Sequence, residues 1–189
     1  MKKITVRTKA AKKLRAGYPL LVAEDLNSPF LEDDFAQFFD EKGQALGTGY
    51  LSKQNKGVGW LLDSSSVKID HHFYVEKFVN ARALRANFYQ DELTNAFRLF
   101  NGEGDGLGGL TIDFYNCFAV FSWYNQFIYS QKKAIVKAFQ VVFPDIKGAY
   151  EKLRFSEAAL ESQHIFGQEA AEPLLVMENG VTYATYLNE

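Results

Sequence analysis

Lys3-Ile4-Thr5-Val6-Arg7 alternates between polar and apolar positions, the period of two expected of a first strand. Thr8 to Gly17 is a basic stretch, helical or irregular, stopped by Gly17 and Pro19, and Leu20-Leu21-Val22 is a short apolar run. Phe35 to Phe39 reads as a strand, Asp40-Glu41-Lys42-Gly43 as a turn, and Gln44–Leu51 and Val58–Leu62 as returning strands. Glycines 43, 47, 49, 57 and 59 suit turns, bulges and close backbone approach in a small barrel. Residues 1–69 are therefore expected to form an all-β unit.

The period changes near residue 70. No Gly or Pro interrupts His71–Tyr89, and a helical projection gathers Tyr74, Val75, Phe78, Ala81, Phe88 and Tyr89 on one face behind an Asp70 N-cap. Phe97–Phe100, Leu110–Tyr115 and Phe118–Tyr124 read as strands, Ile128–Phe143 as a helix stopped by Pro144, and Ile146–Glu151 as a further strand. Leu174–Met177 and Val181–Leu187 flank Glu178-Asn179-Gly180, and Asn-Gly between two β-rich runs is a strong hairpin signal. Residues 72–189 are expected to be a second, α+β unit with a mixed or antiparallel sheet.

Composition narrows the class. The chain has 189 residues, 47% of them hydrophobic and 15% aromatic, with one Cys. These values exclude collagen-like, coiled-coil and disordered chains, and a lone Cys excludes a disulfide framework or a multi-cysteine zinc site. No leader or membrane-spanning run is visible, so a soluble, cytoplasmic protein with no membrane partner is the expectation.

The net charge of −2 hides an asymmetry. Seven bases and no acid fall in residues 1–15, and seven acids and no base between Glu24 and Glu41. Such a basic cluster can neutralise several phosphates. A solvated face is the plainer alternative, and the acidic segment could mask the bases or repel RNA.

Other chemistry is sparse. Gly104-Asp105-Gly106-Leu107-Gly108-Gly109 matches G-x-G-x-x-G, but the strand-like Leu-Thr-Ile-Asp-Phe-Tyr that follows removes the helix N-terminus a dinucleotide needs. Cys117 sits in an apolar strand context and reads as a small core residue. His71 and His72 would point about 100° apart on a helix and cannot share a metal. No catalytic, cofactor-binding or metal-ligating residue is assigned. Arg82 and Arg85 fall on the apolar face of the first long helix. Arginine is rarely buried unpaired, so ion bridges to Glu103, Asp105 or Asp113 around the glycine turn are expected, with phosphate binding as the alternative. Arg98, inside an apolar strand, fits an edge or outer face.

The run Phe97-Arg98-Leu99-Phe100-Asn101-Gly102-Glu103-Gly104-Asp105-Gly106-Leu107-Gly108-Gly109-Leu110-Thr111-Ile112-Asp113-Phe114-Tyr115 resembles the (Y/F)-R-L-x-x-G-E-x-D-G-L-P-G-L-x-x-D-x-Y signature of SAM-dependent RNA methyltransferases that modify cytosine C5 in large-subunit ribosomal RNA. Asp40–Tyr50, Ile146–Glu151 and Glu178-Asn179-Gly180 continue the resemblance. It implies an N-terminal PUA-like β-barrel, a central α+β domain and a Rossmann-like catalytic domain. No counterpart of that last domain is present, nor of the family's catalytic cysteine beside proline, and Cys117 does not inherit that role. The chain ends just after a strand similar to the one preceding that domain, so a cut chain, by design or by gene truncation, is expected.

The resemblance makes the motif residues Arg82, Arg85, Arg98, Glu103, Asp105, Gly106 and Asp113 structural, and assigns RNA docking to this portion. Lys2, Lys3, Lys12, Lys13 and Arg15 are the candidate phosphate contacts, Tyr18 a stacking platform, and Lys53 and Lys56 a second patch. Ribosomal RNA is the implied partner, S-adenosylmethionine the cofactor of the whole enzyme, and a homodimer one option. Gly108 replaces the family's usual Pro, and Leu14–Leu21 replaces an aromatic-rich stretch. The rival from another class is a non-catalytic adaptor binding protein or a small ligand through its α+β part, which the acidic segment favours.

Overall fold

The computed structural model describes residues 1–29, 32–155 and 163–188. Its fold is mixed α+β with several sheets. Strands β1 (Lys2–Thr5), β2 (Leu20–Val22), β3 (Asp34–Phe39), β4 (Ala45–Gln54) and β5 (Gly57–Asp63) form one sheet in the order β1-β3-β4-β5-β2. The β1–β3 pair is parallel and the others antiparallel. A bridge between Val6 and Leu26 ties the ends of the two outer strands, so neither presents a long bare edge. Helix α1 (Thr8–Arg15) lays Ala10, Ala11 and Leu14 over this sheet against Leu21, Phe38 and Leu46.

Helix α2 (His71–Leu84) begins where the sequence places it, with the Asp70 carboxylate accepting from the backbone of His72 (3.0 Å) and Phe73 (3.4 Å). It ends earlier than the expected Tyr89. Arg85 leaves helical geometry, and Phe88 and Tyr89 turn away in a short 3-10 segment to pack on Phe97, each with ring centroids 5.2 Å apart. Apolar spacing thus runs on past the end of the helix, and the two rings find their apolar partner in Phe97 instead.

Strands β6 (Ala96–Asn101), β7 (Leu110–Tyr115), β8 (Phe118–Trp123), β9 (Gly148–Leu153) and β10 (Gln163–Gly167) make the second sheet, ordered β10-β9-β8-β7-β6. It is mixed: β8 and β9 are parallel, which requires a crossover, and α3 (Gln126–Ser130) and α4 (Lys132–Val142) supply it. One helix was expected over 128–143. It breaks at Gln131, where the Ser130 hydroxyl donates back to the Phe127 carbonyl at 2.6 Å. Helices α2 and α4 cover one face of the sheet, with Phe78 edge-on to Phe100 and Phe139. The hairpin of β11 (Leu174–Glu178) and β12 (Val181–Thr185) covers part of the other, placing Leu174 and Val176 on Phe118, Val120 and Tyr150.

That hairpin turns on Asn179 and Gly180, both at positive φ, as the Asn-Gly pair predicts. Cys117 is a correction. With Asn116 it forms the two-residue turn between β7 and β8, at φ 72° and half exposed, and does not sit in the core. Among the described residues no helix is long and apolar enough to cross a membrane.

The Arg15 guanidinium holds the Asp40 carboxyl below its ordinary range, helped by the backbone N–H of Gln44 and Lys42. A carboxyl depressed by folding stabilises fully above its unfolded pKa of about 3.9 and loses that contribution as pH falls through the lower folded value. The stability advantage of the wild type over Asp40→Asn should therefore be constant above about pH 5 and shrink below pH 4. Urea unfolding of both proteins across that range measures it, and an advantage that persists at pH 2–3 would contradict it.

Candidate nucleic-acid interface

Three of the seven acids in the acidic run hold bases of the N-terminal cluster. Lys2 pairs with Glu32 at 2.6 Å, Lys13 with the buried Asp25 at 2.7 Å, and Arg15 with the buried Asp40 at 2.6 Å. Glu41 accepts from the Thr8 backbone N–H at 3.1 Å and from its hydroxyl, which lowers the carboxyl's pKa at the start of α1. The hydrogen bond and charge of Lys2 likewise lower Glu32. So of the predicted contacts Lys2, Lys13 and Arg15 are engaged within the fold. Lys3 and Lys12 remain exposed with no ion-pair partner among the described residues, and Lys9, one helical turn from Lys12, joins them. Sequence reasoning left Lys9 out of the candidates. Its i, i+3 spacing from Lys12, away from Ala10, Ala11 and Leu14, was the signal that would have included it.

Tyr18 is 53% exposed, with the Lys13 ammonium 5.6 Å from its ring centroid, so it remains available for stacking beside α1. Lys53 and Lys56 do not join this surface. Arg15 pins the end of α1 to the β3–β4 turn through Asp40 and Gln44, whereas Lys53 and Lys56 flank the β4–β5 turn. Ten-residue β4 separates the two, roughly 30 Å of strand.

The glycine turn is where the two sheets meet. Residues Gly102–Asp105 form a 3-10 turn that Gly106 closes at φ 77°. Arg85 grips Asp105 with two guanidinium nitrogens, at 2.8 and 3.2 Å, and donates to the Arg98 carbonyl at 2.6 Å. This is the expected ion bridge, made from the residue that caps the end of α2. Arg82 does not share it: its guanidinium reaches past the turn to the Val142 carbonyl at the end of α4, 2.6 Å away. Asp113 pairs with Arg98 on the outward face of the sheet at 2.5 Å. Glu103 accepts from the Trp60 indole at 2.7 Å, so its partner comes from β5 and not from α2.

The remaining contacts at this junction were not foreseen. Tyr50 stacks on Trp60 (5.1 Å, 12°) and on Phe127 (5.2 Å, 17°), and its buried hydroxyl donates to the Gly108 carbonyl at 2.8 Å while accepting from Asn125 at 3.0 Å. Burial raises the phenol pKa well above its ordinary value, keeping it a donor. A Cβ at Gly108 would lie 2.4 Å from Trp60 Cδ1, and one at Gly109 2.3 Å from Asn125 Nδ2. The space a ligand would need above these two glycines is filled by protein, and the turn leads into β7. The run offers no cofactor cradle. No metal-ligating cluster of His, Cys, Asp or Glu forms among the described residues.

Residues 4–64 match the PUA-like domain family. Over its whole length the chain is 38% identical to a Bacillus subtilis protein named "Putative ribosomal RNA large subunit methyltransferase YwbD", of which it covers 50%. A solved structure described as "a putative sam-dependent methyltransferase from Streptococcus mutans" is 44% identical, superposes with a TM-score of 0.94 over 100% of this chain, and is covered to 49%. A second, "a putative methyltransferase complexed with SAH", is 44% identical with a TM-score of 0.92, again over 100% of this chain and 49% of the other. The chain therefore spans about half the length of the relatives it matches.

The packing of Trp60 on Gly108 has a direct consequence for stability. Gly108→Ala must push the indole off the turn and weaken its bond to Glu103, an overpacking cost of about 1–3 kcal/mol. In the Trp60→Leu background the same substitution should cost much less. Thermal or urea denaturation of the four proteins of this double-mutant cycle gives the coupling, and additive effects would contradict it.

Proposed function

We propose that this chain is the RNA-docking portion of a SAM-dependent methyltransferase acting on large-subunit ribosomal RNA. On this reading residues 1–69 are a PUA-type barrel that holds phosphates, and residues 72–189 an α+β unit that orients the strand. The Val6–Leu26 tie between the outer strands supports the barrel. The motif at 97–115 supports cytosine C5 as the modified atom, a reaction for which Cys117, held in a β-turn, is not the nucleophile.

The observation that carries the proposal is the charge left over once the fold has paired its own. Lys3, Lys9 and Lys12 stay exposed and without an ion-pair partner among the described residues, on the segment that matches the PUA-like family, with the exposed Tyr18 just past the end of α1. Cations displaced from internal pairs are the ones free to exchange counterions for phosphate. Three of the seven acids that favoured an adaptor are taken up in those pairs, which weakens their support for that reading.

Fluorescence anisotropy with a roughly 20-nucleotide single-stranded ribosomal RNA segment tests this. Lys9→Glu with Lys12→Glu should weaken binding about tenfold or more at low salt and flatten the log–log salt slope by roughly 1.5. Unchanged affinity and slope would remove α1 from the interface, and no RNA binding by the wild type at low salt would return the adaptor to first place.

A further inference from the structure

Beside the junction, where the β4–β5 turn approaches the glycine turn, lies a cavity of about 260 Å³ lined by Gln54, Asn101, Glu103, Thr111 and Tyr124, with Gly104 and Gly109 in its wall. That is room for one heterocycle, below the ≈300 Å³ at which sites for drug-sized molecules begin. Its polar groups are oriented from outside. The Gln54 amide oxygen accepts from Asn125 (3.1 Å) and the Asn101 amide oxygen from Arg98 (3.3 Å), so each amide keeps its NH2 as an uncommitted donor. Glu103 uses one carboxylate oxygen for Trp60, and among the described residues no donor reaches the other. The Thr111 hydroxyl is buried with no hydrogen-bond partner among the described residues, a cost of about 1–3 kcal/mol. Tyr124 contributes an aromatic ring.

We infer that this cavity receives one unpaired base of the docked RNA, a base carrying both a carbonyl and an amino group, as guanine and cytosine do. The inference rests on the RNA-docking reading and deepens it. Two amide donors meet a carbonyl, the free oxygen of Glu103 accepts from the amino group, Thr111 gains its missing partner, and Tyr124 offers a stacking surface. No basic side chain lines the cavity and Glu103 carries its only charge, which disfavours a phosphate there. Uracil has no amino group for Glu103, and adenine no carbonyl for the amides.

The test uses the 189-residue chain with GMP, CMP, UMP and AMP as probes, followed by amide NMR shifts at Gly104 and Gly109. Saturable shifts with GMP or CMP, and at least tenfold weaker ones with UMP and AMP, are expected. Thr111→Val should weaken GMP or CMP about fivefold while leaving the thermal midpoint unchanged or higher, because it removes an unpartnered hydroxyl. A merely structural Thr111 would not separate the two readouts. Tyr124→Ala should weaken GMP or CMP about tenfold. In the anisotropy assay, an abasic residue at the docked position should weaken wild-type binding about tenfold and leave Tyr124→Ala unaffected. RNA that binds and responds to the Lys9 and Lys12 substitutions, yet ignores Thr111→Val, Tyr124→Ala and the abasic site, would overturn the cavity and leave the docking reading standing. No RNA binding by the wild type would overturn the docking reading, and with it RNA as the source of the base.

Discussion

Two aromatic rings from the first sheet lie on two consecutive glycines from the turn of the second, and the arrangement of everything between the sheets follows from that contact. Tyr50 and Trp60 stack with each other and press on Gly108 and Gly109, where any side chain would collide. Once the rings are buried, their polar ends need partners in a region closed to water. The Tyr50 hydroxyl finds the Gly108 carbonyl and Asn125, and the Trp60 indole finds Glu103. Asn125 also caps α3 by accepting from the Ile128 backbone at 2.9 Å. One buried amide therefore fixes the junction and the start of the crossover together. The apolar cluster runs without a break from Tyr50, Trp60 and Leu62 to Phe78, Phe100 and Phe139. The two sheets therefore share one continuous apolar core.

The same economy governs charge. A chain of net charge −2 is a poor advertisement for a polyanion partner, and its two blocks of opposite sign lie close together in sequence. The fold resolves this by placing Asp25 and Asp40 almost out of solvent against Lys13 and Arg15. A buried carboxylate facing one base is neutralised locally, and what projects from α1 is then positive. Local excess decides association with a phosphate chain, since charges beyond a Debye length of about 8–10 Å are screened at ordinary salt.

Much of the fold was legible from periodicity and punctuation. The Asp70 cap, the Asn179-Gly180 turn and the first strands of each sheet are local signals, and each appears where its residues predict. Failures came where a distant partner overrode a local pattern. Phe88 and Tyr89 continue the apolar face of α2, but the helix ends at Leu84 and both rings pack on Phe97 instead. Cys117 looked buried because its neighbours are apolar, yet the tight link between β7 and β8 needed two residues at positive φ and found only Asn and Cys. Strand β10, Gln163–Gly167, has no clean alternation and was not foreseen; its pairing with β9 carries a bulge. At the site, spacing gave the basic cluster but not which bases stay free, because pairing depends on acids ten to thirty residues away.

Gly108 shows how one substitution can carry a structural choice. Where the resembling motif has proline, this chain has the residue that lets an indole lie flat on the turn. Proline would stiffen the turn by itself, since its φ is fixed near −65°. Glycine gives up that stiffness, and the turn must then be held from outside, by Trp60 through Glu103, by Tyr50 through the Gly108 carbonyl, and by Arg85 through Asp105. Rigidity that would have been local becomes a property of the contact between the sheets. The cavity beside the turn is a product of the same contact, formed by Gln54 from one sheet and Asn101 and Thr111 from the other.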